Sequence, residues 1–304
     1  MKSALVFENV VKTFGTRRAL DGMSLTVPRG SIFGLVGANG AGKTTLMSVT
    51  SGLLRPDSGR VDVLENGPYI PALHRGRLSI LPQDSLPPYY ARVGNLLYYY
   101  ARLQGLDIRP ARRAVDEVLE WVNLSDRKDA PVRALSHGMK RRFTVAQAFL
   151  GHPELIILDE PMNGLDPAQV ASLRQLIASR RGAQTVVVSS HVLPELESLC
   201  DHVAFVDKGR LIRQGSMDEV TRRGHLLSFH LRREPALDRL RAALPAGTFA
   251  WDATRHLLAV SFPADTTPED FNQQLLPLLV AEQCGVLEIH RGSDLESVFL
   301  QSQS

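Results

Sequence analysis

The residues with the most chemistry in their order are Gly37-Ala38-Asn39-Gly40-Ala41-Gly42-Lys43-Thr44. Glycines at this spacing let successive backbone N–H groups curve around an anion with no Cβ in the way. A lysine there can reach the β- and γ-phosphates of a nucleoside triphosphate, and the next hydroxyl can ligate Mg2+. The setting suits the motif. Ile32–Val36 before it reads as a buried strand, and Thr44–Ser51 after it as a helix ending at Gly52. The unpaired N-terminal N–H groups and positive dipole end of that helix add to the anion site. The expected ligand is a nucleoside triphosphate with Mg2+, held by Gly37, Asn39, Gly40, Ala41, Gly42, Lys43, Thr44 and Thr45.

A second constellation is Leu155-Ile156-Ile157-Leu158 running directly into Asp159-Glu160. A buried strand that ends in two acids delivers both carboxylates to the edge of a sheet where open α/β folds bind ligands. Asp159 is then expected to hold Mg2+, and Glu160 to orient and polarise an attacking water as a general base. An apolar run followed by Asp-Glu is often only a strand end. Its position downstream of a phosphate loop is what gives it weight.

These groups need a scaffold, and the chain supplies one. Residues 4–36 read as strands, with Leu5, Phe7, Val10 and Val11, then Ala19-Leu20 and the alternating Met23, Leu25 and Val27, closed by Pro28-Arg29-Gly30. Val61–Leu64 and Leu78–Leu81 are further short strands. Residues 84–150 read as helical: Asn95–Gln104, with Leu96, Tyr99, Tyr100 and Leu103 on one face, Ala111–Asn123, with Val115, Val118, Leu119 and Val122, and Met139–Leu150. The run Tyr98-Tyr99-Tyr100 reads as packing for these helices. Strands Leu155–Leu158, Thr185–Ser189 and Val203–Val206 then alternate with helices Ala168–Ser179 and Pro194–Leu199, a βαβ rhythm that implies a mostly parallel sheet. Lys208-Gly209 turns into Leu211-Ile212. From Leu226 the rhythm changes to strands Leu226–Leu231, Leu257–Phe262 and Val286–Ile289, with helices near 236–244 and 268–281. The expected organisation is α/β, with a mixed sheet core over 1–222, an inserted helical subdomain at 84–150 and a small α+β domain at 226–304.

Composition narrows the classes. With 44% apolar and 22% charged residues, the 304-residue chain can bury a sizeable core. A net charge of only +3 gives no electrostatic footprint for nucleic acid, and the short RRG and KRR runs read as solvated surface. Cys200 and Cys284 have no metal-ligand spacing and fit a reducing compartment. The N-terminus lacks the form of a signal peptide, and no apolar run approaches the roughly 20 residues a membrane helix needs. A cytoplasmic protein is expected.

Taken in order, the motifs over residues 4–220 resemble the ATPase subunits of ABC transporters. Leu135-Ser136-His137-Gly138-Met139-Lys140-Arg141-Arg142 is similar to the family's signature motif. The resemblance implies that Ser136 and Gly138 hold the γ-phosphate of a nucleotide bound by a second copy; alone, Ser136 would be an ordinary helix N-cap. Gln83 matches the glutamine that senses Mg2+ and the attacking water. Asn163-Gly164-Leu165-Asp166 resembles the loop that contacts the partner subunit. His191 resembles the switch histidine that contacts the γ-phosphate. Phe14 stands where an aromatic stacks on adenine, although an apolar strand-end residue fits that place too. His137 and Met139 depart from the usual Gly and Gln, and Met at that place is common in exporter-type relatives. Ala91–Leu96 lacks the Glu that relatives often carry there.

The resemblance implies a homodimer closing around two Mg·ATP, a separate integral-membrane permease, peripheral attachment on the cytoplasmic face and, with the tail Asp294–Leu300, export. Two rivals stand beside it. One is a soluble ABC-type ATPase acting on DNA or the ribosome; the long coiled-coil insertion and the second ATPase half of such relatives are missing here. The other is a P-loop kinase, in which a signature-like helix and His191 would have no purpose.

Overall fold

The computed structural model describes residues 2–221, 225–263, 265–292 and 295. The chain divides into two compact units, Met1–Gln214 and Gly215–Ser304. In the first, β1 (Ser3–Phe14) and β2 (Arg17–Pro28) pair antiparallel. Strand β3 (Ile32–Val36) leaves them for another sheet, α1 (Lys43–Thr50) follows, and β4 (Ser58–Val63) returns to pair with β1. A short α2 (Pro71–His74) leads to β5 (Leu78–Leu81). Three helices come next: α3 (Val93–Leu103), α4 (Ile108–Trp121) and α5 (His137–Phe149). The chain then alternates through β6 (Leu155–Asp159), α6 (Pro167–Ala178), β7 (Thr185–Ser190), α7 (Leu193–Leu199) and β8 (His202–Asp207) to β9 (Arg210–Ser216).

The larger sheet has the order β5-β6-β7-β3-β8-β9, and its first five strands are parallel. Every residue of β3, β6 and β7 is buried, which is why the apolar stretches Ile32–Val36, Leu155–Leu158 and Val186–Val188 show no polar alternation. The β8–β9 hairpin turns on Lys208 and Gly209, both with positive φ (45° and 78°), the two-residue geometry that matches strand twist. Phe7 and Met23 of the antiparallel sheet, Phe33, Leu155 and Val187 of the parallel one, and Leu46 and Met47 of α1 share a single core. The carboxyl ends of the parallel strands therefore lie along one edge, and that edge is held in place by the core beneath it.

The second unit contains α8 (Met217–Thr221), β10 (Leu226–Leu231), α9 (Leu237–Ala243), β11 (Thr248–Asp252), β12 (Leu257–Ser261), α10 (Pro268–Ala281) and β13 (Val286–Arg291). Its antiparallel sheet has the order β11-β12-β10-β13. Phe229, Leu231, Leu258, Val260, Phe271, Leu275 and Leu279 form its core.

Three expectations need correction. The buried face of α3 is Val93, Leu96, Leu97 and Ala101, whereas Tyr99 and Leu103 are 57% and 55% exposed. The adjacent Leu96-Leu97 pair fits two faces equally well, and the small residues Gly94 and Ala101 mark the one that packs. Strand β11 and the helices α2 and α8, of five, four and five residues, are too short to show a period. The KRR run is not a solvated face, because Arg141 is buried. Of the tail Asp294–Leu300, only Leu295 is among the described residues, and it is buried.

Phe33 is fully buried on the strand that carries the glycine loop. Replacing it with Ala should cost about 3–5 kcal/mol in urea unfolding of the full chain; a loss below about 1 kcal/mol would show that the strand is not anchored through this ring.

Candidate functional site

Because the strands are parallel, the loops after β3, β5, β6 and β7 open on the same edge of the sheet. Those after β3, β5 and β6 border a cleft of about 370 Å3 lined by Phe14, Arg17, Asn39, Gly40, Lys43, Thr44, Thr45, Gln83, Asp159 and Glu160, among others, while His191 after β7 is not in its lining and joins it through Glu160. The glycines of the loop are dictated by space. A Cβ on Gly37 would stand 2.6 Å from the Val206 carbonyl oxygen, and one on Gly42 2.7 Å from that of Ala19, with Gly42 at a φ of 111°. The β8–β9 turn braces the loop from behind, as Gly209 N–H donates to the Ala41 carbonyl at 2.8 Å. Lys43 is buried and its Nζ donates to the Gly37 carbonyl at 2.5 Å. Phe14, by contrast, is 49% exposed at the rim. An apolar residue left in water at a cleft mouth suits a stacking surface better than a core position.

The two acids end β6 in different ways. Asp159 continues the strand, and its Oδ1 accepts from Ser189 Oγ at 2.5 Å. Glu160 is 4% exposed and takes a left-handed φ of 47°, uncommon outside glycine. Its backbone N–H donates to the same Ser189 Oγ at 3.0 Å. Its Oε2 meets His191 Nδ1 at 2.9 Å. One serine on β7 thus fixes both acids. Behind them, burial pushes the Glu195 carboxyl above its ordinary range, opposed by a hydrogen bond from Ser190 and the Arg174 charge. Thr44, Asp159 and Gln83 bring hydroxyl, carboxylate and amide oxygens to one cleft, the hard-oxygen set that Mg2+ takes.

Arg141 ties these loops to α5. Its guanidinium donates to the backbone carbonyls of Gln83 (3.0 Å), Asp159 (3.1 Å), Glu160 (2.5 Å) and Pro161 (3.1 Å). Burial draws its pKa below the ordinary value, and the charges of Asp159, Asp84 and Glu160 draw it back. A guanidinium stays protonated regardless, so it is a permanent clamp on the turn that follows β6.

Ser136 is the N-cap of α5, accepting from Met139 N–H at 3.3 Å. Asp166 is the N-cap of α6, accepting from Gln169 N–H at 2.9 Å. Neither lines the cleft of its own chain, nor does Gly138. These residues meet one another instead. A Cβ on Gly138 would press on the Gln169 amide, and the His137 ring packs against Gly164. A second cleft of about 320 Å3 runs from Gln83 along His137 and Arg141 to Asn163 and Gly164. Sequence reasoning missed Arg141 and Ser189, whose partners are distant in the chain; the signal for Arg141 was its place one turn into a helix that begins at a phosphate-type N-terminus.

A glycine loop between a buried strand and a helix, faced by two acids from the next-but-one strand, defines a P-loop nucleotide triphosphatase. Comparison with known proteins refines that class. The ABC transporter family profile matches residues 20–163. Nod factor export ATP-binding protein I of Ralstonia nicotianae is 39% identical over 71% of this chain and 68% of the relative. Daunorubicin resistance ATP-binding protein DrrA3 of Streptomyces coeruleorubidus is 37% identical over 84% of this chain and 83% of its own length. A solved ATP-binding subunit of an ABC transporter superposes with a TM-score of 0.66 at 26% identity, over 72% of this chain and 92% of that one. The chain belongs to the ATP-binding subunits of ABC transporters. These likenesses favour a transporter ATPase of exporter type over a soluble ATPase serving DNA or the ribosome.

Arg141→Ala should destabilise the first unit by about 3 kcal/mol, since it orphans buried carbonyls that a charged donor satisfies. Arg141→Lys should recover less than half of that in urea unfolding, because an ammonium cannot reproduce the planar fork. Full recovery by Lys would mean that charge alone matters there.

Proposed function

We propose that Lys43, Thr44 and the backbone N–H groups of Gly37–Thr45 hold the β- and γ-phosphates of ATP, with Phe14 stacked on the adenine. The observation that carries this reading is the meeting of the glycine loop, Asp159 and Glu160 in one cleft. Thr44, Asp159 and Gln83 would hold Mg2+, which when bound spreads the charge of the transferring phosphoryl group. Glu160, set by Ser189 and His191, accepts a proton from the attacking water. His191, paired with Glu160 and 58% exposed in its side chain, is the residue assigned to the γ-phosphate.

Two copies complete the site. Ser136, Gly138 and Asp166 sit at helix N-termini outside the cleft of their own chain, which suits contact with a nucleotide held by another copy. Bound triphosphate favours closure of the pair and hydrolysis reverses it. Residues 1–222 then form the motor, 84–150 the subdomain that passes its motion to a separate integral-membrane permease, and 226–304 an accessory domain. Among the described residues no helix is long and apolar enough to cross a membrane, so attachment would run through that permease on the cytoplasmic face. The relatives named for Nod factor export and daunorubicin resistance support outward transport.

Glu160→Gln tests the assignment. It should leave ATP binding intact and lower hydrolysis by about 100-fold or more. Turnover within a few-fold of the unsubstituted chain would remove Glu160 from the role of base.

A further inference from the structure

The second unit carries a group of side chains for which nucleotide chemistry has no use. Leu227, Phe229 and Leu231 of β10 point into that unit's core, so alternation turns Ser228 and His230 to the opposite face. Edge strand β13 runs antiparallel beside β10, with Glu288 opposite His230 and His290 opposite Ser228. Strand partners share a face, as do residues two apart, so His230, Glu288 and His290 project on the same side of the sheet. The nitrogen or oxygen that each offers lies within 4.8 Å of the other two. His290 Nε2 is 3.0 Å from Glu288 Oε1, and the His230 and His290 rings meet edge to face with centroids 5.9 Å apart.

We propose that His230, Glu288 and His290 form a binding site for a divalent transition metal of the zinc type, which fastens the edge strand β13 to β10. Two imidazoles and one carboxylate are borderline donors. They favour Zn2+, Co2+ or Ni2+ over Mg2+ and Ca2+, which take oxygen ligands. Around a tetrahedral zinc ion with bonds of about 2.0–2.2 Å, neighbouring donor atoms stand roughly 3.4 Å apart. The pair at 3.0 Å already stands near that spacing, and small rotations of the His230 side chain close the rest. Strand pairing does the positioning, because it fixes the three Cβ atoms before any ion arrives. Glu288 and His290 keep side-chain exposures of 61% and 51%, which leaves the remaining coordination position to water. Such a site is exchangeable, unlike a closed four-ligand structural one. The ion also has a mechanical consequence. The described side chains of β13 are largely exposed, so the strand is held by its backbone ladder with β10, by Val286 against the core and by the Arg291–Glu269 ion pair, and a metal bond across the ladder adds a further tie.

The full-length chain, stripped with a chelator and kept in Mg2+ buffer, is titrated with Co2+ read by visible absorption, then with Zn2+ as competitor. One equivalent of Co2+ should bind with a d–d spectrum of low coordination number and be displaced by Zn2+. Zn2+ should also raise the temperature of a thermal transition. His290→Asn and His230→Asn should each weaken binding at least tenfold. His152→Asn, which alters an exposed histidine paired with Glu117 in the first unit, should leave it unchanged. His290 is exposed, so its Asn variant should match the unsubstituted chain in chelator by circular dichroism and melting. Absence of saturable binding, binding that survives loss of both histidines, or equal sensitivity to His152→Asn would overturn the proposal.

Discussion

The backbone between Val36 and Thr44 has to pass where there is no room for side chains. At Gly37 it runs against the end of β8, and at Gly42 against the start of β2, each close enough that a methyl group would strike a carbonyl oxygen. The turn at Gly209 lies against Ala19 as well, with a Cβ there 2.6 Å from the same oxygen, and its N–H holds Ala41. Two stretches far apart in the chain, the start of β2 and the β8–β9 turn, thus press one loop into a tight curve. An anion bound there gains from amides that are already ordered, so little reorganisation is needed on binding.

That curve would be inert without a second tier that aims the acids at it. Ser189 accepts from one acid's backbone and donates to the other's carboxylate, using a single hydroxyl in both of its capacities. Arg141 then holds the carbonyls of the turn from the opposite side. The strained φ of Glu160 persists because both neighbours over-determine it. Since Arg141 lies on the helix that Ser136 caps and holds the Glu160 backbone carbonyl, a tilt of α5 would shift the residue proposed as the base. This gives a physical route by which events at the helix N-terminus alter the chemistry of the cleft.

The glycine loop and the Asp159-Glu160 pair were legible in the sequence because their geometry is local: a buried strand, a turn and a helix start, all within a few residues. Strands β3, β6 and β7 were legible for a related reason, as burial on both faces leaves apolar stretches with no polar alternation. The partners of Arg141 were hidden, because an arginine in a basic run reads as surface until the fold brings four carbonyls to it. Tyr99 and Leu103 misled in the other direction. Their spacing fits a helix face, but the packed face follows Gly94 and Ala101, where neighbouring elements can approach. His230, Glu288 and His290 become a group only through the register of β10 with β13, which periodicity alone does not specify.

The central claim is that a triphosphate held by this loop is completed by the capped helix of another copy. Sedimentation of the purified chain with Mg2+ and a non-hydrolysable ATP analogue tests it directly. The account predicts that a monomer of 33.5 kDa becomes a species of twice that mass with analogue, and that Ser136→Arg, which puts bulk and charge at the helix start, leaves analogue affinity of the monomer in place while abolishing the pairing. A chain that binds the analogue tightly yet stays monomeric at every concentration, or that pairs equally well with Ser136→Arg, would contradict it.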